Sequence, residues 1–251
     1  YSCSCSCSVL DYPLPPPMSH HADQLRLRQD RSRLRALLRR ALETTPLATS
    51  SPERIEILGL ACGGCNEAEV LLELPSLLEE IRCGKPAADP RLGVHLVGVD
   101  IREREIADAE ARCKALAHTF APEEKTPAGR ASFEFLPGDA TRISSHRHLS
   151  QEFDLVFLRH QNFWDSETTW KKIFAQGLAR LTPEGLLVLT SYFDREHLLA
   201  LDAIEDLGGE VVLSLENKNA RSLSTPGKSV DKHLALVRLP TSSKGDDYRR
   251  R

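Results

Sequence analysis

Short apolar runs recur along this chain, and each breaks off at a small, acidic or basic residue. Ile55–Leu60 ends in Ala61-Cys62-Gly63-Gly64, and Val94–Val99 ends in Asp100. Ala131–Leu136 leads to Gly138-Asp139-Ala140, and Phe153–Leu158 leads to Arg159-His160. These runs have strand length, and the segments between them carry helical spacing. Glu67–Leu74 reads as helix until Pro75, Ser76–Arg82 as a second helical piece, and Arg102–His118 as a helix through Ile106, Ala109, Cys113 and Leu116. Gly84–Gly93, with Pro86 and Pro90, reads as a loop. Trp170–Leu181 is a helix that Thr182-Pro183-Glu184-Gly185 terminates; strand Leu186–Thr190 and helix Glu196–Leu207 follow. Two last strands, Val211–Leu215 and His233–Leu239, flank a polar connection, Asn217–Lys232. Strands alternating with helices imply a parallel sheet with helices on both faces. Continuous apolar strands are the kind buried on both faces. The last two strands have no helix between them, which implies an antiparallel pair at one edge. The expected fold is α/β and doubly wound: a mostly parallel seven-stranded sheet with a terminal antiparallel strand pair and an N-terminal helical extension.

The chain divides by composition. Residues 1–17 are low complexity, with alternating Ser and Cys followed by four prolines between Pro13 and Pro17, and read as a disordered tail. The only methionine is Met18, which reads as the native start; the competing reading of the tail is a thiol-rich site for a soft metal. Residues 18–50 form a basic helical extension and linker, 51–240 the α/β domain, and 241–251 a flexible charged tail. In the extension, Asp23–Thr44 places Leu27, Leu34, Leu38, Ala41 and Leu42 at helical spacing among seven arginines between Arg26 and Arg40. Two readings stand: a basic face that meets RNA or an acidic partner, or a leucine-packed helix with its arginines in water. With 33 basic and 36 acidic residues, the chain is not a nucleic-acid binder by bulk charge, although a local patch stays open. No apolar run approaches the ~18 residues of a membrane span. Seven cysteines, an odd number clustered at one end, are not a secreted disulfide framework; a reducing compartment, the cytoplasm, is expected. Cys83 and Cys113 fall in helix-like apolar patterns and read as small buried hydrophobes.

Ligands of open parallel sheets bind beyond the carboxyl ends of the strands. There, Ala61-Cys62-Gly63-Gly64 lets the backbone turn tightly and approach a ligand closely. Asp100 suits two ribose hydroxyls, in preference to a helix N-cap, and Asp139 suits an exocyclic amine or an N-cap equally. Arg159 suits an anionic group, and His160 a general base, although lone residues of these types at strand ends also serve structure. Phe163, Trp164 and Trp170 form an apolar wall or belong to the core. Cys62-Gly63-Gly64-Cys65 has the spacing of a redox pair whose place at a helix start would lower a thiol pKa. The competing reading makes Cys62 a small residue of the turn and Cys65 incidental.

Taken in order, these motifs resemble the class I S-adenosylmethionine-dependent methyltransferases over roughly Arg54–Leu239. Ile57-Leu58-Gly59-Leu60-Ala61-Cys62-Gly63 is similar to the family's glycine-rich first motif. Val97-Gly98-Val99-Asp100 is similar to the second, and Leu136-Pro137-Gly138-Asp139-Ala140 to the third. Phe153–Phe157 resembles the fourth strand, and Leu181-Thr182-Pro183-Glu184-Gly185 the turn into the fifth. The resemblance implies S-adenosyl-L-methionine as cofactor, held by Gly59, Ala61, Cys62, Gly63, Asp100, Ile101, Asp139, Ala140 and Arg159. It implies methyl transfer to an unidentified acceptor, small or macromolecular, with His160 as the catalytic candidate and no metal. The chain departs from the pattern at Gly59, where the family carries an acid, and at Ala61 and Cys65, where it carries glycine. Glu56 cannot replace the acid, because odd offsets on a strand face opposite sides. The stretch from Gly63 to Asp100 also exceeds the ~20 residues usual in dinucleotide folds, so Pro75–Gly93 reads as an insertion. The amino-methylating Asn/Asp-Pro-Pro-aromatic signature is absent, since Asn162 is followed by Phe163-Trp164. These departures support a competing function, a catalytically silent binding protein on the same fold. Substrate selection is expected from the N-terminal helix, the Pro75–Gly93 insertion and the Asn217–Lys232 connection.

Overall fold

Burial of both sheet faces organises this chain. The computed structural model describes residues 20–85, 92–120, 131–146, 149 and 151–240. The expected tails, Met18 and the Pro86–Pro90 portion of the loop lie outside the described residues. Seven strands form one sheet: β1 Arg54–Leu60, β2 Gly93–Asp100, β3 Ala131–Pro137, β4 Phe153–Arg159, β5 Leu181–Ser191, β6 Glu210–Glu216 and β9 His233–Arg238. Their order is β3-β2-β1-β4-β5-β9-β6. The first five pair in parallel, and β9 runs antiparallel between β5 and β6. The expected antiparallel pair at one edge is therefore present. The polar connection also carries a small hairpin of its own, β7 Arg221–Ser222 with β8 Ser229–Val230.

Strand residues alternate between two cores, as the period of two requires. Ile55 and Ile57 of β1 join Leu96, Leu155, Phe157 and Val188 on one face. That face is covered by α1 His20–Thr44, α2 Ala68–Leu72, α3 Leu74–Cys83 and α4 Glu103–Phe120. Leu58 and Leu60 join Val97, Val99, Val156 and Leu187 on the other face, beneath α5 Glu167–Leu178 and α6 Asp194–Asp206. Helix α5 ends three residues before the expected Leu181, because that residue already pairs with Phe153 at the start of β5. Gly185 permits this early strand: a Cβ there would stand 2.9 Å from the Phe153 carbonyl oxygen.

Helix α1 packs through Leu34, Leu38, Ala41 and Leu42, all buried. Its arginines, however, do not simply face water. Arg35 reaches Glu80 at 2.7 Å and Glu73 at 3.5 Å, Arg39 reaches Glu80 at 2.7 Å, and Arg31 pairs with Glu69. Asp30, buried on α1, receives Arg221 of the hairpin. Acidic partners of Arg31, Arg35 and Arg39 thus lie on the protein's own α2 and α3 and at Glu73 between them. The chain after α1 is fastened by Asp154, fully buried, which accepts from the Ser50 N–H at 2.7 Å and the Glu56 N–H at 3.0 Å. The described part of the 75–93 insertion, helix α3 and Leu92, lines an apolar pocket with Leu47 and Thr49 at the amino end of the strands. That described part therefore lies away from the carboxyl edge. Among the described residues no helix is long and apolar enough to cross a membrane.

Candidate active site at the carboxyl edge of the sheet

Strand order reverses between β1 and β4, and a crevice opens at such a point beyond the carboxyl ends. The loop leaving β1 turns through three left-handed residues: Ala61 at φ 49°, Gly63 at φ 52° and Cys65 at φ 44°. Two of the three are positions where the resemblance predicts glycine and the chain lacks it. The backbone keeps the glycine geometry, held by Cys62 N–H to the Val99 carbonyl at 3.2 Å and Cys65 N–H to the Cys62 carbonyl at 2.9 Å. Gly59, which stands where the family has an acid, pairs in register with Gly98, whose missing side chain leaves room for the Phe135 ring.

Asp100 ends β2 and is nearly buried. Its Oδ2 accepts the Gly63 N–H at 2.8 Å; its Oδ1 accepts the Arg102 N–H and Nε–H, both at 3.0 Å. Burial works to raise its pKa, but the bonds from Arg102 and Gly63 outweigh it and hold the carboxyl below its usual range. Ile101 beside it is 72% exposed, unusual for its type. Asp139 accepts from the Thr141 N–H at 2.9 Å and Oγ1 at 2.7 Å, capping a short 3-10 turn. Ala140 is buried in the second core.

Arg159 is placed differently from its expected role as a ligand for an anion. Its guanidinium is enclosed, bonded to Asp231 through Nε at 3.0 Å and Nη2 at 2.6 Å, with Glu67 at 3.4 Å. Burial alone would lower its pKa; the two carboxylates raise it instead. His160 follows at φ 58°, its Nε2 2.8 Å from Asp231 Oδ1 and its ring stacked on Tyr192 at a centroid distance of 4.0 Å. Asp231 itself accepts the Thr190 hydroxyl at 2.9 Å. Burial works to raise its pKa, but Arg159 and His160 outweigh it and hold the carboxyl far below the usual range. Glu67, Tyr192 and Asp231 are functional candidates that the sequence did not single out. An arginine buried at a strand end was the available signal, because it requires carboxylates nearby.

Glu67, Arg159, His160 and Tyr192 line a chamber of roughly 360 Å³, bounded on one side by Leu27, Asp30 and Arg31 of α1 and on another by Arg221 and Val230 of the hairpin. Two of the three segments expected to select substrate thus reach the site. Phe163 is buried against Phe174, whereas Trp164 is 44% exposed and meets Phe193 edge-on. Cys65 does not show the lowered thiol pKa that a redox pair would have. A hydrogen bond with Cys62 and burial push Cys65 well above its ordinary value, and burial pushes Cys113 up to about 12. Cys83, expected buried, is exposed.

Comparison with known proteins places this architecture. No protein-family model matches the chain, and no curated protein matches it by sequence. Solved structures do match. An S-adenosylmethionine-dependent methyltransferase from Clostridium acetobutylicum ATCC 824 aligns with a TM-score of 0.56 at 12% identity, over 88% of this chain and 96% of that one. The magnesium protoporphyrin IX methyltransferase of Synechocystis PCC 6803, solved with bound S-adenosylmethionine, aligns at 0.52 and 12% identity over 89% and 86%. The glycopeptide N-methyltransferase MtfA, also solved with that ligand, aligns at 0.50 and 12% identity over 76% and 90%. The chain has the class I S-adenosylmethionine-dependent methyltransferase fold.

Proposed function

We propose that this chain binds S-adenosylmethionine at the β1–β2 edge and transfers its methyl group to an acceptor held in the chamber beside His160. The observation that carries the reading is Asp100: a carboxylate at the end of β2, anchored to the Gly63 N–H of a left-handed loop and flanked by the exposed Ile101. The residues present fit the group. The Ala61–Gly63 backbone offers the close approach, Asp100 takes the ribose hydroxyls, and Ile101 with Asp139 takes the adenine. Arg102 lies on Asp100 but has a side chain 59% exposed, so its guanidinium can leave to admit the ribose. Gly59 supplies no acid, and the cofactor's amino end is held without one. Bound S-adenosylmethionine supplies a methyl group already activated on a sulfonium sulfur. The protein's part is to place the acceptor in line and to receive a proton. Calorimetric titration of the full chain with S-adenosylmethionine and S-adenosylhomocysteine tests this. Micromolar binding that Asp100→Ala abolishes is expected. No heat at millimolar ligand would refute the reading and favour the catalytically silent scaffold.

A further inference from the structure

We propose that the cleft between α1 and the turn after β6 is a docking surface for single-stranded RNA, which it holds by the phosphate backbone. The proposal goes beyond the methyl-transfer reading and stands or falls without it.

The arginines of α1 divide between two sides of the helix. Arg31, Arg35 and Arg39 turn to Glu69, Glu73 and Glu80 and are engaged within the fold. Arg33 and Arg40 turn the other way and, with Ser32, form one wall of a cleft of roughly 740 Å³. The opposite wall is Asn217, Lys218 and Asn219. Arg33 and Arg40 are two helical turns apart, so they share a side and stand about 10 Å apart along the axis. The second wall is a tight turn. The Ala220 N–H bonds the Asn217 carbonyl at 3.0 Å, and Asn217 Oδ1 accepts the Asn219 N–H at 3.1 Å. Asn217 is itself buried and donates through Nδ2 to the Asp231 carbonyl at 3.1 Å. Lys218 and Asn219 therefore stand exposed at the tip of an anchored turn.

Charge decides the occupant. Among the described residues no acidic side chain lines the cleft, and no ion pair involves Arg40 or Lys218. Arg33 has Asp30 at 3.1 Å, but that carboxylate also takes Arg221 through Nε at 2.9 Å, so two guanidiniums share one negative charge. The cleft thus presents an excess of positive charge on a chain whose net charge is −3. An acidic protein segment would need apolar or aromatic anchors as well. No aromatic ring lines the cleft, and its one large apolar residue, Leu37, is 4% exposed. The remaining groups are a hydroxyl and amides, which suit phosphate and sugar oxygens. Ser32 and Asn219 are exposed and suit a 2′-hydroxyl, the group that tells RNA from DNA. At about 10 Å, Arg33 and Arg40 are too far apart to grip one phosphate, and they take separate phosphates of one strand. A recessed basic groove that tracks one backbone is the form that single strands need.

The course of the cleft leads to the chamber. Asp30, one turn before Arg33, lines the chamber and pairs with Arg221 of the hairpin. Asn217 of the cleft is bonded to Asp231, which holds Arg159 of the chamber wall. A strand lying on Arg40 and Arg33 is directed towards the mouth beside Leu27 and Arg31.

Fluorescence anisotropy of labelled oligouridylate with the full chain tests this. A Kd of roughly 10⁻⁴–10⁻⁶ M is expected at physiological salt. The logarithm of the binding constant falls with that of the salt concentration at a slope of about −2, as three contacts to a single strand require. Arg40→Gln and Lys218→Gln, both at exposed positions, each weaken binding about tenfold and reduce the slope by about 0.7. Lys172→Gln, exposed on α5 across the sheet, changes neither. Absence of binding, parental affinity in the Arg40→Gln, Lys218→Gln double variant, or an equal loss in Lys172→Gln overturns the proposal. Equal affinity for the matching oligodeoxyuridylate overturns the assignment to RNA. Tighter binding of polyglutamate overturns it in favour of an acidic protein. S-adenosylmethionine takes no part in these measurements, so its failure to bind would refute the methyl-transfer reading alone.

Discussion

Replacing Arg159 with methionine tests whether the carboxyl edge is organised by one buried cation. The side chain is 9% exposed, and its partners Asp231 and Glu67 are 1% and 5% exposed, so water cannot take over its role. Methionine fills comparable volume and leaves two enclosed carboxylates facing each other. Breaking a buried pair from one side costs about 3–5 kcal/mol, a large part of the ~5–15 kcal/mol by which domains are stable. The pH dependence then reverses. In the parent protein Asp231 has a folded pKa below its unfolded value, so its stabilisation is complete above about pH 4 and is lost only as pH falls further. In Arg159→Met the folded pKa rises above the unfolded one. The unfolded chain ionises first as pH climbs, and stability drops by up to about 1.4 kcal/mol per pH unit. Urea unfolding of both proteins at pH 5 and pH 7 reads this directly. The parent's contribution from Asp231 is flat across that window, whereas the variant is less stable at pH 7 by up to about 3 kcal/mol. A variant within about 1 kcal/mol of the parent at both values would refute the buried-cation argument, because unpaired buried carboxylates cannot be that cheap.

His197 is buried between the Ser191 and Ser214 hydroxyls, and burial lowers its pKa to about 4. The unfolded chain takes the proton first, so stability falls by about 3 kcal/mol as pH drops from 6.5 to 4; in thermal melts His197→Gln removes that slope. Gly98→Ala places a Cβ 2.4 Å from the Phe135 ring and 3.1 Å from Cys62 Sγ. It costs about 1–3 kcal/mol by overpacking, and urea titration at pH 7 measures it; an unchanged midpoint would mean that β2 and β3 separate freely.

The sheet was legible because its evidence is local. Ile55–Leu60, Val94–Val99 and Phe153–Leu158 are apolar except at Glu56, His95 and Asp154, a density that a strand covered on both faces sustains. The residues at their ends, Asp100 and His160, followed from the rule that such sheets bind ligands there. What they touch did not follow. Asp231 lies 72 positions from Arg159 in a polar connection where an aspartate is indistinguishable from a solvated turn residue. Glu67 lies 92 positions away at the start of a helix, where an acid is unremarkable on dipole grounds. The ion pairs of the α1 arginines were hidden for the same reason. Composition reports a charged face, while only the packed α2 and α3 reveal the carboxylates of Glu69, Glu73 and Glu80 opposite it.

The glycine-poor first motif bears on function more than its sequence implies. Ala61 and Cys65 occupy left-handed backbone at φ 49° and 44°, where an L residue other than glycine pays roughly 1–2 kcal/mol. A loop free to drift would relax that strain by leaving the left-handed region. Here it stays, pinned by Cys62 to Val99, by the Cys62–Cys65 turn and by Gly63 to Asp100. Those same bonds orient the Asp100 carboxylate and keep the backbone of the turn beside it. The substitutions therefore remove the residue type that makes the conformation cheap while the conformation itself persists, and it is backbone placement, not glycine as such, that lets a ligand approach. Loss of binding through this loop would require the pins to fail, and all of them are present.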